Sequence, residues 1–146
     1  MNVLIIAVDK LRERYVREGC ALYVKRLSPL VPVSVEEVKS GTMETEARAI
    51  LKRVPEHAAL WALDREGSSL SSVELSRRFA DVQRSGRNIL AIAIGGPEGL
   101  HASVLRRAEF RWSLSALTLL HEMARLVALE QLYRALKIAR GEPYHR

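Results

Sequence analysis

"AIAIGGPEGLHASV", residues 91–104, sets a run of small and β-branched apolar residues against Gly95-Gly96-Pro97-Glu98-Gly99, and a helical spacing begins behind it. The run does not alternate with polar residues, so the strand it predicts is covered on both faces, as strands of parallel sheets are. The same grammar repeats on either side. "VLIIAV" (3–8), "ALWALD" (59–64) and "NILAIAI" (88–94) read as buried strands, and a fifth strand falls near 111–115. "VPVSVEEV" (31–38) alternates, and Pro32 places it at or near a sheet edge. Helical spacing fills the intervals: 11–28 with Leu11, Tyr15 and Leu22, then 43–53 behind a Thr42 N-cap, a short helix near 101–108, and a long one over 122–140. Ser71 and Glu74 form a capping box that opens a helix running to about Ser85, after a loop "REGSS" (65–69). Strands alternating with helices predict an α/β fold, a doubly wound, mostly parallel sheet. Ligands of such sheets bind beyond the carboxyl ends of the strands. Three loops reach that edge: "LDREG" (63–67), "IGGPEG" (94–99) and "SLSALT" (113–118).

Length and composition bound the possibilities. The chain has 146 residues, 48% of them apolar, which predicts one ordered domain over 1–146 with a sizeable core. The longest apolar run is far too short for a bilayer, and no basic segment precedes it, so neither a membrane span nor a signal peptide is expected. One cysteine, Cys20, permits no internal disulfide and points to a reducing cytoplasm. The net charge is +6. The excess gathers at the two ends, with seven basic against five acidic groups in 1–40 and eight against four in 101–146. Such a chain suits either a polyanionic partner or a basic solvated surface.

The motifs narrow the chemistry. "GGPEG" matches neither the dinucleotide fingerprint nor the P-loop, and no lysine follows it to meet a phosphate. It suits a tight turn or a backbone that a ligand approaches closely. In "WSLSALTLLH" (112–121) hydroxyls alternate with apolar residues, a pattern fit to line a pocket or to cap the long helix behind it. His57, His101, His121 and His145 are scattered without metal-ligand spacing, so no metal is expected. Ser113 and Ser115 lack a nucleophile elbow, and Cys20 on an amphipathic helix reads as packing. The long helix carries Arg125, Arg134, Lys137 and Arg140 beside Leu126, Val127, Leu129, Leu132 and Leu136, a stripe wide enough for a core alone or a core plus a partner. The terminal "PYHR" collects a ring, an imidazole and a guanidinium, either as a frayed tail or as groups that stack on a base, move a proton and grip a phosphate.

"IGGPEGL", "WSLSALTLLH", "EQLYRALKI" and "GEPYHR", in that order, resemble the bacterial family of ribosomal large-subunit pseudouridine N3-methyltransferases, of the SPOUT class. The likeness covers nearly the whole chain and is densest from Ile94 to Arg146. It implies a C-terminal trefoil knot, an exception to unknotted topology, and S-adenosyl-L-methionine as cofactor. It also implies a homodimer with its site near the interface, and a pseudouridine of large-subunit rRNA, methylated at N3 in the assembled ribosome. By position, Leu63, Gly95, Leu114, Ser115, Ala116, Leu117, Thr118 and Leu119 surround the cofactor. His145 is the candidate base for the N3 proton, Tyr144 positions the nucleobase, and Arg146 holds phosphate or favours the deprotonated ring. Arg12, Arg14 and Arg17 are candidate phosphate contacts, or else part of a solvated helix face. Two positions depart from the family: Leu120 stands where proline is common, and glycine is common near Asp9. The competing expectations are a SPOUT enzyme acting on another RNA, a ribosome- or RNA-binding module of this fold without catalysis, and a metabolite-binding α/β protein.

Overall fold

The computed structural model describes residues 1–145. Ten elements follow one another: β1 (Asn2–Val8), α1 (Arg14–Leu27), β2 (Val33–Val38), α2 (Met43–Arg53), β3 (Ala59–Ser69), α3 (Ser72–Arg84), β4 (Ile89–Ile94), α4 (Ala102–Arg107), β5 (Phe110–Ser113) and α5 (His121–Ala139). The five strands form one sheet in the order β2-β1-β4-β3-β5, and every strand pairing is parallel. β2 is an edge, as Pro32 predicts.

The side-chain period of two explains why β1 and β4 look apolar throughout. Val3, Ile5 and Ala7 of β1, with Leu90, Ile92 and Ile94 of β4, join a cluster with α1, α3 and α5. Leu4, Ile6 and Val8, with Ala91 and Ala93, face the other way onto α2 and α4. The sheet is therefore covered on both faces. At one end of the larger cluster Trp61 packs edge-on against Phe110 and Trp112, with ring centroids 5.4 and 6.0 Å away.

Local signals set most helix starts. Thr42 Oγ1 accepts the Thr45 amide at 3.1 Å, and Ser71 and Glu74 complete the capping box in both directions. Two elements differ from the sequence expectation. "REGSS" is not a loop but the second half of β3. The strand bulges between Leu63 and Ser68, then rejoins β5 with Ser68 opposite Trp112 and Ser69 opposite Ser113. Gly67 permits this return, because a Cβ there would collide with the Arg111 carbonyl. The first helix begins at Arg14 rather than at residue 11, because the backbone of Glu13 is extended; the amides of Arg12 and Glu13 are bound by Glu122 of α5.

Candidate active site

The carboxyl ends of β3, β4 and β5 surround a cleft of about 380 Å³. Its glycine wall is a tight turn. Gly99 donates to the Gly96 carbonyl at 3.0 Å and has φ +82°, the left-handed region that glycine adopts freely. A Cβ on Gly95 would stand 2.6 Å from the Gly99 carbonyl, so the turn closes only over bare backbone. "GGPEG" is thus a tight turn, and its backbone lines the cleft.

The opposite wall is the segment between β5 and α5. Its hydroxyls are committed to holding shape. The Ser113 hydroxyl donates to the Arg65 carbonyl at 2.9 Å, Ser115 Oγ accepts the Leu117 amide at 2.9 Å, and Thr118 Oγ1 accepts from Arg65 Nη1 at 3.1 Å. None of them caps α5, whose N-cap is Leu120 with no side-chain cap bond. The bulge of β3 and this loop are therefore stitched together, which keeps the cleft open between them.

Leu63, Gly95, Leu114, Ser115, Leu117, Thr118 and Leu119 all line the cleft. Ala116 is exposed and is not among the lining residues. The lining also includes Trp112 and His121, the two ends of "WSLSALTLLH", and Leu105 and Ala124, which no sequence motif singled out. Walls of Leu63, Ile94, Leu100 and Leu119 suit a flat apolar ring, and Asp64, Glu66 and Glu98 suit cationic groups. The volume and these carboxylate acceptors fit a nucleoside-sized ligand that carries positive charge.

The terminal residues lie elsewhere. Tyr144 stacks edge-on against Tyr133 at 4.8 Å, meets the Tyr23 hydroxyl at 3.0 Å and donates to Glu130 Oε1 at 3.2 Å. Burial, then Tyr23 and Glu130, push the Tyr144 pKa upward, so its hydroxyl remains a donor. His145 Nδ1 lies 3.2 Å from Arg134 Nη1. A guanidinium only donates, so Nδ1 accepts and the neutral ring carries its proton on Nε2. Glu130 and Arg134, which anchor this group, sit six and ten residues along α5 from Ala124, the last cleft residue of that helix, some 9–15 Å at 1.5 Å per residue. The cleft and the terminal cluster of one chain are thus separate. Arg146 lies outside the described residues.

Other charged candidates have partners. Arg134 pairs with Glu130 at 2.7 Å, and Lys137 and Arg140 both hold Glu142. Arg14 pairs with Glu18 at 2.9 Å, and Arg12 meets Asp9 at 3.4 Å. Arg17 borders a second groove, between α1, β2 and α5. Arg125 is buried, at 4% exposed, and bonds to Glu37 Oε2 at 2.7 Å and the Asp9 carbonyl at 2.9 Å. Burial pushes the Cys20 thiol up to about 11, so it stays protonated and packs. Among the described residues no group of three or more His, Cys, Asp or Glu could hold a metal, and no helix is long and apolar enough to cross a membrane.

Comparison with known proteins gives a consistent outcome. A family model described as "Predicted SPOUT methyltransferase" matches residues 1–145. A Methanoregula boonei protein, named provisionally as a ribosomal RNA large subunit methyltransferase H, is 47% identical over the whole of both chains. Proteins named ribosomal RNA large subunit methyltransferase H from Rubrobacter xylanophilus (46% identical over 97% of this chain and 96% of that one) and Carboxydothermus hydrogenoformans (39% over the whole of both) are similar to it as well.

Proposed function

The chain belongs to the SPOUT methyltransferase family, and from that premise we propose that it methylates large-subunit rRNA, using S-adenosyl-L-methionine, at N3 of a pseudouridine in the assembled ribosome. The carrying observation is the cleft itself. A side-chain-free turn at the end of β4 faces a hydroxyl-stitched loop at the end of β5, in a chain that matches rRNA methyltransferases over its full length. The trefoil knot, the homodimer and a cytoplasmic location among ribosomes are parts of the same reading.

When bound, the cofactor supplies an activated methyl group on a sulfonium. The chain's own residues must align the acceptor nitrogen with it, exclude water and remove one proton. Leu63, Leu114, Leu117 and Leu119 give apolar walls, and Gly95 lets the ligand approach the backbone. His145 takes the N3 proton. For that it must release Arg134, which occupies the lone pair of Nδ1, the basic nitrogen of the ring. Tyr144, held as a donor, positions the base, and Arg146 grips phosphate. Because the terminal cluster lies some 9–15 Å along α5 from the last cleft residue of its own chain, a second subunit is the natural source of these groups, which supports the dimer.

The test is methyl transfer from labelled S-adenosyl-L-methionine to intact ribosomes, isolated large subunits and free RNA, with the product nucleoside identified. Label on N3 of a pseudouridine, in assembled ribosomes alone, is expected. Label on transfer RNA would move the substrate. Cofactor binding without transfer to any RNA would favour a binding module.

A further inference from the structure

Two charged side chains of α5 serve no step of the chemistry above. Glu122 is 6% exposed and Arg125 is 4% exposed. Both are turned onto one short segment, Asp9–Glu13, which leaves the carboxyl end of β1. Glu122 Oε1 accepts the amides of Arg12 and Glu13 at 2.7 and 3.1 Å. Arg125 Nη2 donates to the Asp9 carbonyl at 2.9 Å, while Nη1 holds Glu37 at 2.7 Å. Asp9 itself has φ +71°. Burying an anion and a cation carries a desolvation cost that an apolar pair avoids, and a left-handed aspartate adds strain. A loop held at that expense is one whose geometry matters.

The clamped atoms belong to the backbone, and the cationic side chains are left outside. Lys10 is exposed and its ammonium has no carboxylate partner among the described residues. The Arg12 side chain is 77% exposed and touches Asp9 only at 3.4 Å. Arg14, two residues on, is already spent on Glu18. The segment lines no part of the cleft but leaves the same edge of the sheet. β1 pairs with β4, whose end carries the glycine turn, and Glu122 directly follows His121, a cleft residue.

We propose that Asp9–Glu13 is a subsite for RNA backbone phosphate flanking the methyl-transfer cleft, in which Lys10 and Arg12 contact phosphate oxygens and Glu122 and Arg125 are positioning residues. The proposal rests on the reading that the cleft acts on RNA. A rigid backbone lets a flexible ammonium and a planar guanidinium meet the phosphodiester with little further loss of freedom. It also selects among the basic residues of the first helix region: Arg12 contacts RNA, and Arg14 does not.

The experiment measures binding and methylation of intact ribosomes across a salt series, with binding of S-adenosyl-L-methionine followed separately by calorimetry. In a Lys10→Ala/Arg12→Ala double variant the ribosome KM rises about tenfold or more, and the slope of log affinity on log salt becomes shallower by roughly 1.4–1.8, the value for two lost phosphate contacts. Its kcat and cofactor affinity stay within about twofold. Arg84→Ala, which removes an exposed cation of α3, moves neither. Glu122→Gln and Arg125→Met raise the KM while kcat holds, and Glu122→Ala raises it further, because glutamine keeps an acceptor oxygen for the two amides. An unchanged salt slope in the double variant overturns the subsite, as does an equal effect from Arg84→Ala. A fall in kcat or cofactor affinity, with KM constant, overturns the positioning role. If the wild-type chain binds ribosomes with this loop-dependent slope yet methylates nothing, the function proposed above fails and the subsite stands. Methylation of ribosomes that is indifferent to the loop overturns the subsite and leaves the function in place.

Discussion

At Asp9 the backbone asks for one residue type and the sequence supplies another. Its φ of +71° lies where side chains are strained and glycine is free. The aspartate compensates locally, since Oδ1 accepts the Lys10 amide at 2.9 Å. Asp9→Gly should therefore change the unfolding free energy by less than ~1 kcal/mol, whereas Asp9→Val should lower it by ~2 kcal/mol, read by urea denaturation. Equal losses in both variants would show that the carboxylate contacts, rather than the backbone, decide the site. Nothing local in "AVDKLRE" announces this strain, because φ follows from where β1 ends and Arg125 pulls. The glycines of the cleft were easier to read. "GGPEG" after an apolar strand carries its meaning in composition, while Leu105 and Ala124 reach the cleft only through the packing of α4 and α5.

Helix starts show which element boundaries a sequence carries. Thr42 and the Ser71–Glu74 box are local patterns, and both helices begin where those residues say. The start of α1 follows an extended Glu13, and the Arg12 amide before it is bound 110 residues away by Glu122, so spacing alone placed it too early. β3 failed for a related reason. Gly and Ser favour turns in isolation, yet pairing with β5 draws Ser68 and Ser69 back into the sheet. The Glu122 clamp has a pH consequence. Burial resists its charge, but the amides of Glu13 and Arg12 outweigh burial and hold its pKa below the ordinary carboxylate value. A carboxylate depressed in the folded state stabilises above its unfolded pKa, about 4.3, and the contribution fades as pH falls through the lower folded value. Melting temperature should thus drop below about pH 4. Glu122→Gln should start lower at pH 7 and show a shallower decline; a parallel decline in the two proteins would assign the acid sensitivity to other carboxylates.

For the whole molecule, the sequence carried the layer order well, since buried parallel strands and their covering helices leave periodic marks at every step. It did not carry the separation between the cleft and the terminal cluster, because "SLSALTLLH" and "PYHR" are joined by a helix whose length, rather than its composition, keeps them apart. If two subunits complete one site, Gly95→Ala and His145→Ala proteins should each lack activity, and co-expressed mixtures should regain methyl transfer. Failure of the mixture, with dimers confirmed by light scattering, would place cleft and tail within one chain.

The sheet order bears on synthesis as well. β1 lies between β2 and β4, and Asn2 pairs with Ile89. As the chain leaves a ribosome at ~5–20 residues per second, the 87 positions separating those partners correspond to roughly 4–17 s. Throughout that interval Val3–Val8 presents one bare hydrogen-bonding edge and an apolar surface to its surroundings. The nascent protein must outlast this exposure without pairing to another copy, so its yield in the cell depends on translation speed and holding chaperones as much as on the stability of the finished fold.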